Sequence, residues 1–178
     1  MHDLLARYRE PILQEIDRLV GGPPSPLLTM CRYHLGLADD LGRPINGSPG
    51  KMLRSALCLA MCEGLGGDGR QCLPAAVSVE LIPRTSLVFD DIQDDSPVRN
   101  GRPTVQARWG DGQAVNAGLA LSSYSRLSLV GSKVADRARI QGHLEQAVLD
   151  LCRCSAPASA WRCARAWAAP PASACPPP

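Results

Sequence analysis

Apolar residues recur about every three to four positions through most of residues 4–151, and no stretch competes as a strand of alternating apolar and polar residues. That pattern commits the chain to helices packed on helices, an all-α bundle. Leu4, Leu5, Tyr8, Ile12, Leu13, Ile16, Leu19 and Val20 mark a first helix, in which Pro11 either breaks the run or starts a second one. Gly21-Gly22-Pro23-Pro24 stops it, and another helix follows Ser25 to about Ala38. Past the loop Asp39–Gly50, Ser48 is placed to cap a helix from Gly50 to about Leu65, with Pro49 as its first residue. A longer apolar helix spans Gln71 to Asp94. Asp95–Gly110 is a connection holding Pro97, Gly101 and Pro103. Two more helices cover Asp111–Val130 and Val134–Leu151, and there is no internal repeat.

The 178 residues, 45% hydrophobic, suffice for one domain with a sizeable core. Composition divides the chain in two. All 17 acids lie at or before Asp150, so residues 1–151 carry a net charge of −1. Residues 152–178 hold three Arg, no acid, six Pro and the cysteines at 152, 154, 163 and 175. Domain boundaries therefore fall at 1–151 and 152–178, the latter read as a disordered Pro/Ala/Cys-rich tail. Its cysteines lack the Cys-x-x-Cys spacing and the nearby His of a zinc site, and no secretory context favours disulfides. The net positive charge of the whole chain belongs to that tail. The body has no basic footprint for nucleic acid, no uninterrupted apolar run of transmembrane length and no visible secretory signal. A cytoplasmic protein is the default.

The chemistry gathers at Asp90-Asp91-Ile92-Gln93-Asp94-Asp95. Asp90 and Asp94 stand one above the other on a helical face, with Asp91 about a third of a turn away. Like charges at that spacing repel, and acids at a helix C-terminus oppose the helix dipole. A divalent cation relieves both costs, and Mg²⁺ is typically held by one or two carboxylates plus substrate phosphates. Cations flank the cluster: Arg99 follows it, and Lys51 and Arg54 sit one turn apart at a helix start, where backbone N–H groups favour phosphate.

Together these segments resemble the trans-type isoprenyl diphosphate synthases, or polyprenyl synthetases. The family signatures are Gly-Lys-x-x-Arg, Glu-x-x-His-x-x-Ser-Leu-x-His-Asp-Asp-x-x-Asp and, four residues on, Arg-Arg-Gly-x-Pro-Thr. This chain reads Gly50-Lys51-Met52-Leu53-Arg54, then Glu80 to Asp94, then Arg99-Asn100-Gly101-Arg102-Pro103-Thr104. The resemblance covers about residues 30–150 and implies the N-terminal half of an isoprenoid-synthase helical bundle. It implies that Asp90, Asp91 and Asp94 hold an allylic diphosphate through Mg²⁺, with Arg99 on the diphosphate and Lys51 and Arg54 gripping isopentenyl diphosphate. Metal and Arg would stabilise the departing diphosphate, and the apolar helices would shield the cation from water. Ser86 and Thr85, four and five residues before Asp90, lie roughly 6–7.5 Å from it along the helix. Neither is aromatic, which implies products of twenty carbons or more.

The chain departs from the family at four positions. Pro83 replaces a His, and inside a helix it should delete the bond to the Val79 carbonyl and introduce a kink costing about 3 kcal/mol. Phe89 replaces the His before the Asp pair, Asn100 the second Arg, and Leu119 the Asp of a Gly-Asp pair. A second Asp-rich helix and a Gly-Gln-x-x-Asp element are absent, and Cys152-Arg153-Cys154-Ser155 stands where that element should begin. The reading is an interrupted or frame-shifted family member, inactive by itself, with apolar faces of its last two helices left uncovered. Alternatives are a non-catalytic small subunit of a full-length synthase, or a terpene cyclase relative. A homodimer or a heteromer with a full-length synthase is the expected assembly.

Overall fold

A computed structural model describes residues 2–45 and 50–155, with the side chains of residues 2–4, 154 and 155 outside that description. The chain divides into two compact units, Met1–Gln141 and Gly142–Pro178. The first contains helices α1 (His2–Leu19), α2 (Pro26–His34), α3 (Leu53–Gly64), α4 (Gly69–Gln93), α5 (Val105–Trp109) and α6 (Asp111–Val130). It also holds a hairpin of β1 (Val98–Arg99) and β2 (Arg102–Pro103). Helix α7 (Arg137–Ser155) begins in the first unit and supplies the described part of the second.

Helix α1 runs unbroken through Pro11, which lies exposed on its solvent face. There the carbonyl that loses its N–H partner remains open to water. Tyr8, Ile12, Ile16 and Val20 are buried in a row four residues apart, the stripe that anchors α1 to the core. Ser25 caps α2 as expected, its hydroxyl accepting from the Leu28 N–H at 3.2 Å. The helix stops at His34, four residues short of Ala38. There the Leu37 N–H bonds to the Arg32 carbonyl and that of Gly36 to the Tyr33 carbonyl, closing the C-terminus.

Helix α3 begins at Leu53, three residues later than the sequence pattern places it, because Met52 adopts a left-handed conformation (φ 51°). The expected cap, Ser48 with Pro49, lies outside the described residues. Helix α4 is the centre of the unit and packs chiefly on α6 and α3. Asp68 caps its start, accepting from the Arg70 N–H at 2.9 Å, and the helix continues as a single element past Pro74 and Pro83. Ala76, Val77, Leu81 and Val88 of α4 and Ala114, Ala117 and Leu121 of α6 are fully or almost fully buried. Buried hydroxyls join the two helices: Ser78 and Ser125 are 3.0 Å apart, and Ser128 donates to the Pro74 carbonyl at 2.8 Å.

Among the described residues α4 is the one helix long and apolar enough to cross a bilayer. Its apolar side chains instead face the bundle interior, and Glu80, Arg84, Asp90 and Asp91 interrupt the run. Two features add to the expected helices and connections. Val98–Arg99 pairs antiparallel with Arg102–Pro103 across Asn100 and Gly101, both at positive φ (53° and 75°), a two-residue turn of the hairpin type. A disulfide joins Cys62 near the end of α3 to Cys72 in the first turns of α4.

Helix α6 spans the expected residues, whereas α7 starts at Arg137 and continues past Leu151 to Ser155. Residues 156–178, most of the expected tail, lie outside the described residues. Val115, Leu119, Leu127 and Val130 of α6 are exposed, as are Leu149 and Leu151 of α7, in line with uncovered faces on those helices. Helix α3 shows a further exposed row at four-residue spacing, Leu53, Leu57, Met61 and Leu65.

Candidate active site

A cavity of about 820 Å³ opens between the C-terminal end of α2, the segment leading into α3, the middle of α4 and the hairpin. It brings together Lys51, Arg54, Asp91 and Arg99 from the expected site residues, and adds Glu80, Arg84 and Arg102. Asp90 and Asp94 are not in its lining. They stand on the last turn of α4 and at its C-cap, Asp90 half-buried and Asp94 exposed.

The end of α4 is tied down by backbone bonds. The Ser96 N–H donates to the Asp91 carbonyl at 2.9 Å, and Asp95 takes the left-handed conformation (φ 50°) that a helix stop of this kind requires. Asp91 is turned inward, 2% exposed, and both Nε and Nη2 of Arg99 lie 2.8 Å from its Oδ1. The hairpin makes that contact possible by presenting Arg99 eight residues later. Its positive-φ turn also accounts for Asn100, since Asn adopts that backbone more readily than a long side chain does. Thr104 completes the connection: its hydroxyl donates to the Ser96 carbonyl at 2.8 Å and accepts from the Ala107 N–H to cap α5.

Lys51 and Arg54 are exposed, and neither side chain makes a hydrogen bond or ion pair among the described residues. Their backbone is fixed from behind. Arg9 of α1 donates to the Gly50 carbonyl at 2.6 Å, and the buried Met52 anchors the turn. Glu80, 3% exposed, ties this segment to α4 by accepting from the Ser55 hydroxyl at 3.1 Å and, more distantly, from the Ser55 N–H at 3.4 Å. Arg102 belongs to the scaffold: its guanidinium lies 4.0 Å from the Tyr33 ring centroid and donates to the Ala38 carbonyl at 3.0 Å.

His34 lines the same cavity and donates from Nε2 to the Arg84 carbonyl at 2.8 Å. Burial, reinforced by the charges of Arg84 and Arg99, pushes its pKa down to about 4. The folded value is lower than the unfolded one, so the unfolded chain takes up this proton first on acidification. Stability is complete above about pH 6.5 and should fall by about 2 kcal/mol as the pH drops towards 4, allowing for the partial exposure of the ring. Urea denaturation across that range checks this, with His34→Gln expected to flatten the slope while keeping an N–H donor.

Among the described residues no three His, Cys, Asp or Glu side chains converge as a metal-holding group. Asp90 and Asp94 nonetheless make no ion pair there, and Oδ2 of Asp91 accepts no hydrogen bond there. Hard carboxylate oxygens in that number fit Mg²⁺ bound together with phosphate oxygens, rather than Mg²⁺ alone.

Glu80 and Arg84 lie within the motif read from the sequence but had no role assigned there, and His34 was not singled out. Glu80 and Arg84 each carried a signal, a charged residue inside the apolar run of α4.

Fold and site together define a helical bundle with a basic, carboxylate-edged cavity at the end of its central helix, suited to phosphorylated ligands. The polyprenyl synthetase family profile matches residues 38–157. The chain is 40% identical over 122 residues to the (2E,6E)-farnesyl diphosphate synthase of Mycobacterium tuberculosis, covering 68% of this chain and 32% of that protein. It is 35% identical over 150 residues to a geranylgeranyl diphosphate synthase of the same organism, covering 84% and 43%. Its structure resembles a crystal structure of a polyprenyl synthetase from Streptomyces coelicolor, with a TM-score of 0.79 and 31% identity over 85% of this chain and 45% of that one. The chain belongs to the polyprenyl synthetase family, and it spans about a third to just under half the length of these relatives.

Proposed function

We propose that this chain is part of an isoprenyl diphosphate synthase that condenses an allylic diphosphate with isopentenyl diphosphate in the cytoplasm. The observation that carries this reading is a single cavity shared by Lys51, Arg54, Arg99 and Asp91, with Asp90 and Asp94 on the adjoining helix end. Asp90, Asp94 and the second oxygen of Asp91 would hold Mg²⁺, which when bound neutralises the diphosphate and favours its departure. Arg99, steadied by Asp91, directs its remaining N–H groups to the same leaving group. Lys51 and Arg54 bind the second diphosphate, that of the isopentenyl acceptor. Ser86, which lines the cavity, and Thr85, buried with its hydroxyl on the Leu81 carbonyl, leave no aromatic plug below the Asp motif. That supports products of twenty carbons or more, read out by chromatography of the products of a longer protein containing these residues.

The 178 residues contain one Asp-rich motif and no acid after Asp150. The expected result with the purified 178-residue chain is diphosphate binding without turnover. Calorimetry should find Mg²⁺ binding only in the presence of a diphosphate, and Asp90→Asn with Asp94→Asn should abolish that linkage. Tight Mg²⁺ binding without diphosphate would contradict a site that needs phosphate oxygens beside these carboxylates. A non-catalytic role beside a full-length synthase has one observation in its favour, the exposed Leu53, Leu57, Met61 and Leu65 row of α3. Co-purification of a stable heteromer tests it.

A further inference from the structure

We infer that Arg84 is a diphosphate-binding residue of this cavity, acting with Lys51 and Arg54 on the isopentenyl diphosphate. This rests on the proposed function and adds a ligand to it. Of the five cations around the cavity, Arg99 is paired with Asp91 and Arg102 is bound to carbonyls and the Tyr33 ring. Arg84 is the third cation that reaches the Lys51 segment. A Cβ built on Gly50 would lie 2.6 Å from its Nη2, and the same nitrogen is 4.0 Å from the Met52 sulfur.

The guanidinium therefore ends beside the turn that carries Lys51 and precedes Arg54. It is also pre-aimed. Glu80 Oε1 lies 3.3 Å from Nη2, while Glu80 Oε2 is held by Ser55 at the start of α3. Both members of the pair line the cavity, but the side chain of Arg84 keeps 18% of its surface open against 4% for Glu80, so the cation is the more accessible of the two. A planar fork with several N–H groups suits a diphosphate, whose oxygens accept paired bonds. A charge in the middle of an apolar helix is costly to maintain, and an ion pair there is weak evidence of a purely stabilising role. The preceding residue, Pro83, offers no side-chain donor to the same ligand.

Isothermal titration of the full 178-residue chain with isopentenyl diphosphate, in EDTA, tests the assignment. Arg84→Met should weaken binding by about tenfold or more, Arg84→Lys should restore part of it, and Lys51→Met and Arg54→Met should each weaken it comparably. Because Arg84→Met strands the Glu80 carboxylate, the double variant Arg84→Met with Glu80→Gln is measured beside it, with folding followed by circular dichroism. Undiminished binding by a folded variant lacking the Arg84 charge, with Lys51→Met still weakened, overturns the role of Arg84 alone. No binding by the unaltered chain, or indifference to both Lys51→Met and Arg54→Met, overturns the site reading as well.

Discussion

Arg99→Met is expected to destabilise the folded chain by about 3 kcal/mol, and Asp91→Asn by distinctly less. The asymmetry follows from burial. The Asp91 side chain is 3% exposed and Arg99 is 32% exposed, so removing the Arg strands a carboxylate inside the bundle. Removing the carboxylate leaves an Arg that can turn its head to water. The double variant Asp91→Asn with Arg99→Met should recover most of the loss, because the buried group is then neutral. Urea denaturation of the two single variants and the double variant gives the coupling directly. A larger loss for Asp91→Asn than for Arg99→Met would mean that the pair is not what holds the hairpin against α4.

Gly118→Leu should cost a similar amount, about 3 kcal/mol, through overpacking between α4 and α6. A Cβ at Gly118 would sit 2.7 Å from Cζ of Phe89 and 3.0 Å from its Cε1, closer than packed carbons tolerate. The clash is with a ring face, so flipping the ring does not relieve it. Gly118→Ala is the milder probe, since the gain in helix propensity of about 1 kcal/mol offsets part of the strain. Phe89→Ala in the same chain should rescue both. Thermal melts of the single and double variants test this, and equal stability of Gly118→Leu and the parent would refute the contact. The pairing also gives Phe89 a reason: the aromatic ring fills the space that a bare backbone on α6 leaves open.

Helix α1 was legible because its apolar stripe runs for several turns, and the limits of α6, read as Asp111 and Val130, match the sequence reading at both ends although α6 is apolar on buried and exposed sides alike. The late start of α3 was not, because the left-handed Met52 is imposed by its buried side chain and its neighbours, not by any turn-forming residue type. Strands of two residues are too short to show an alternation, and the one local signal of the hairpin, the Asn100-Gly101 pair, was not read as a turn. In the site, Lys51, Arg54, Asp91 and Arg99 were each named from local spacing. That Asp91 and Arg99 pair, and that Glu80 meets Ser55 from 25 residues away, are tertiary contacts that no local pattern encodes. The connection of Cys62 to Cys72 across the α3–α4 turn was missed for the same reason.

Glu80 bridges α3 and α4, and that strut has an entropic consequence. A long cationic arm free in solution must be frozen when it meets its ligand, at roughly 0.5–1.5 kcal/mol per side chain. Arg84 has been immobilised already during folding, whereas Lys51 and Arg54 still have that freedom to lose. If the three act on one diphosphate as proposed, the cavity would couple one rigid finger to two loose ones, and most of the ordering cost of binding would fall on Lys51 and Arg54.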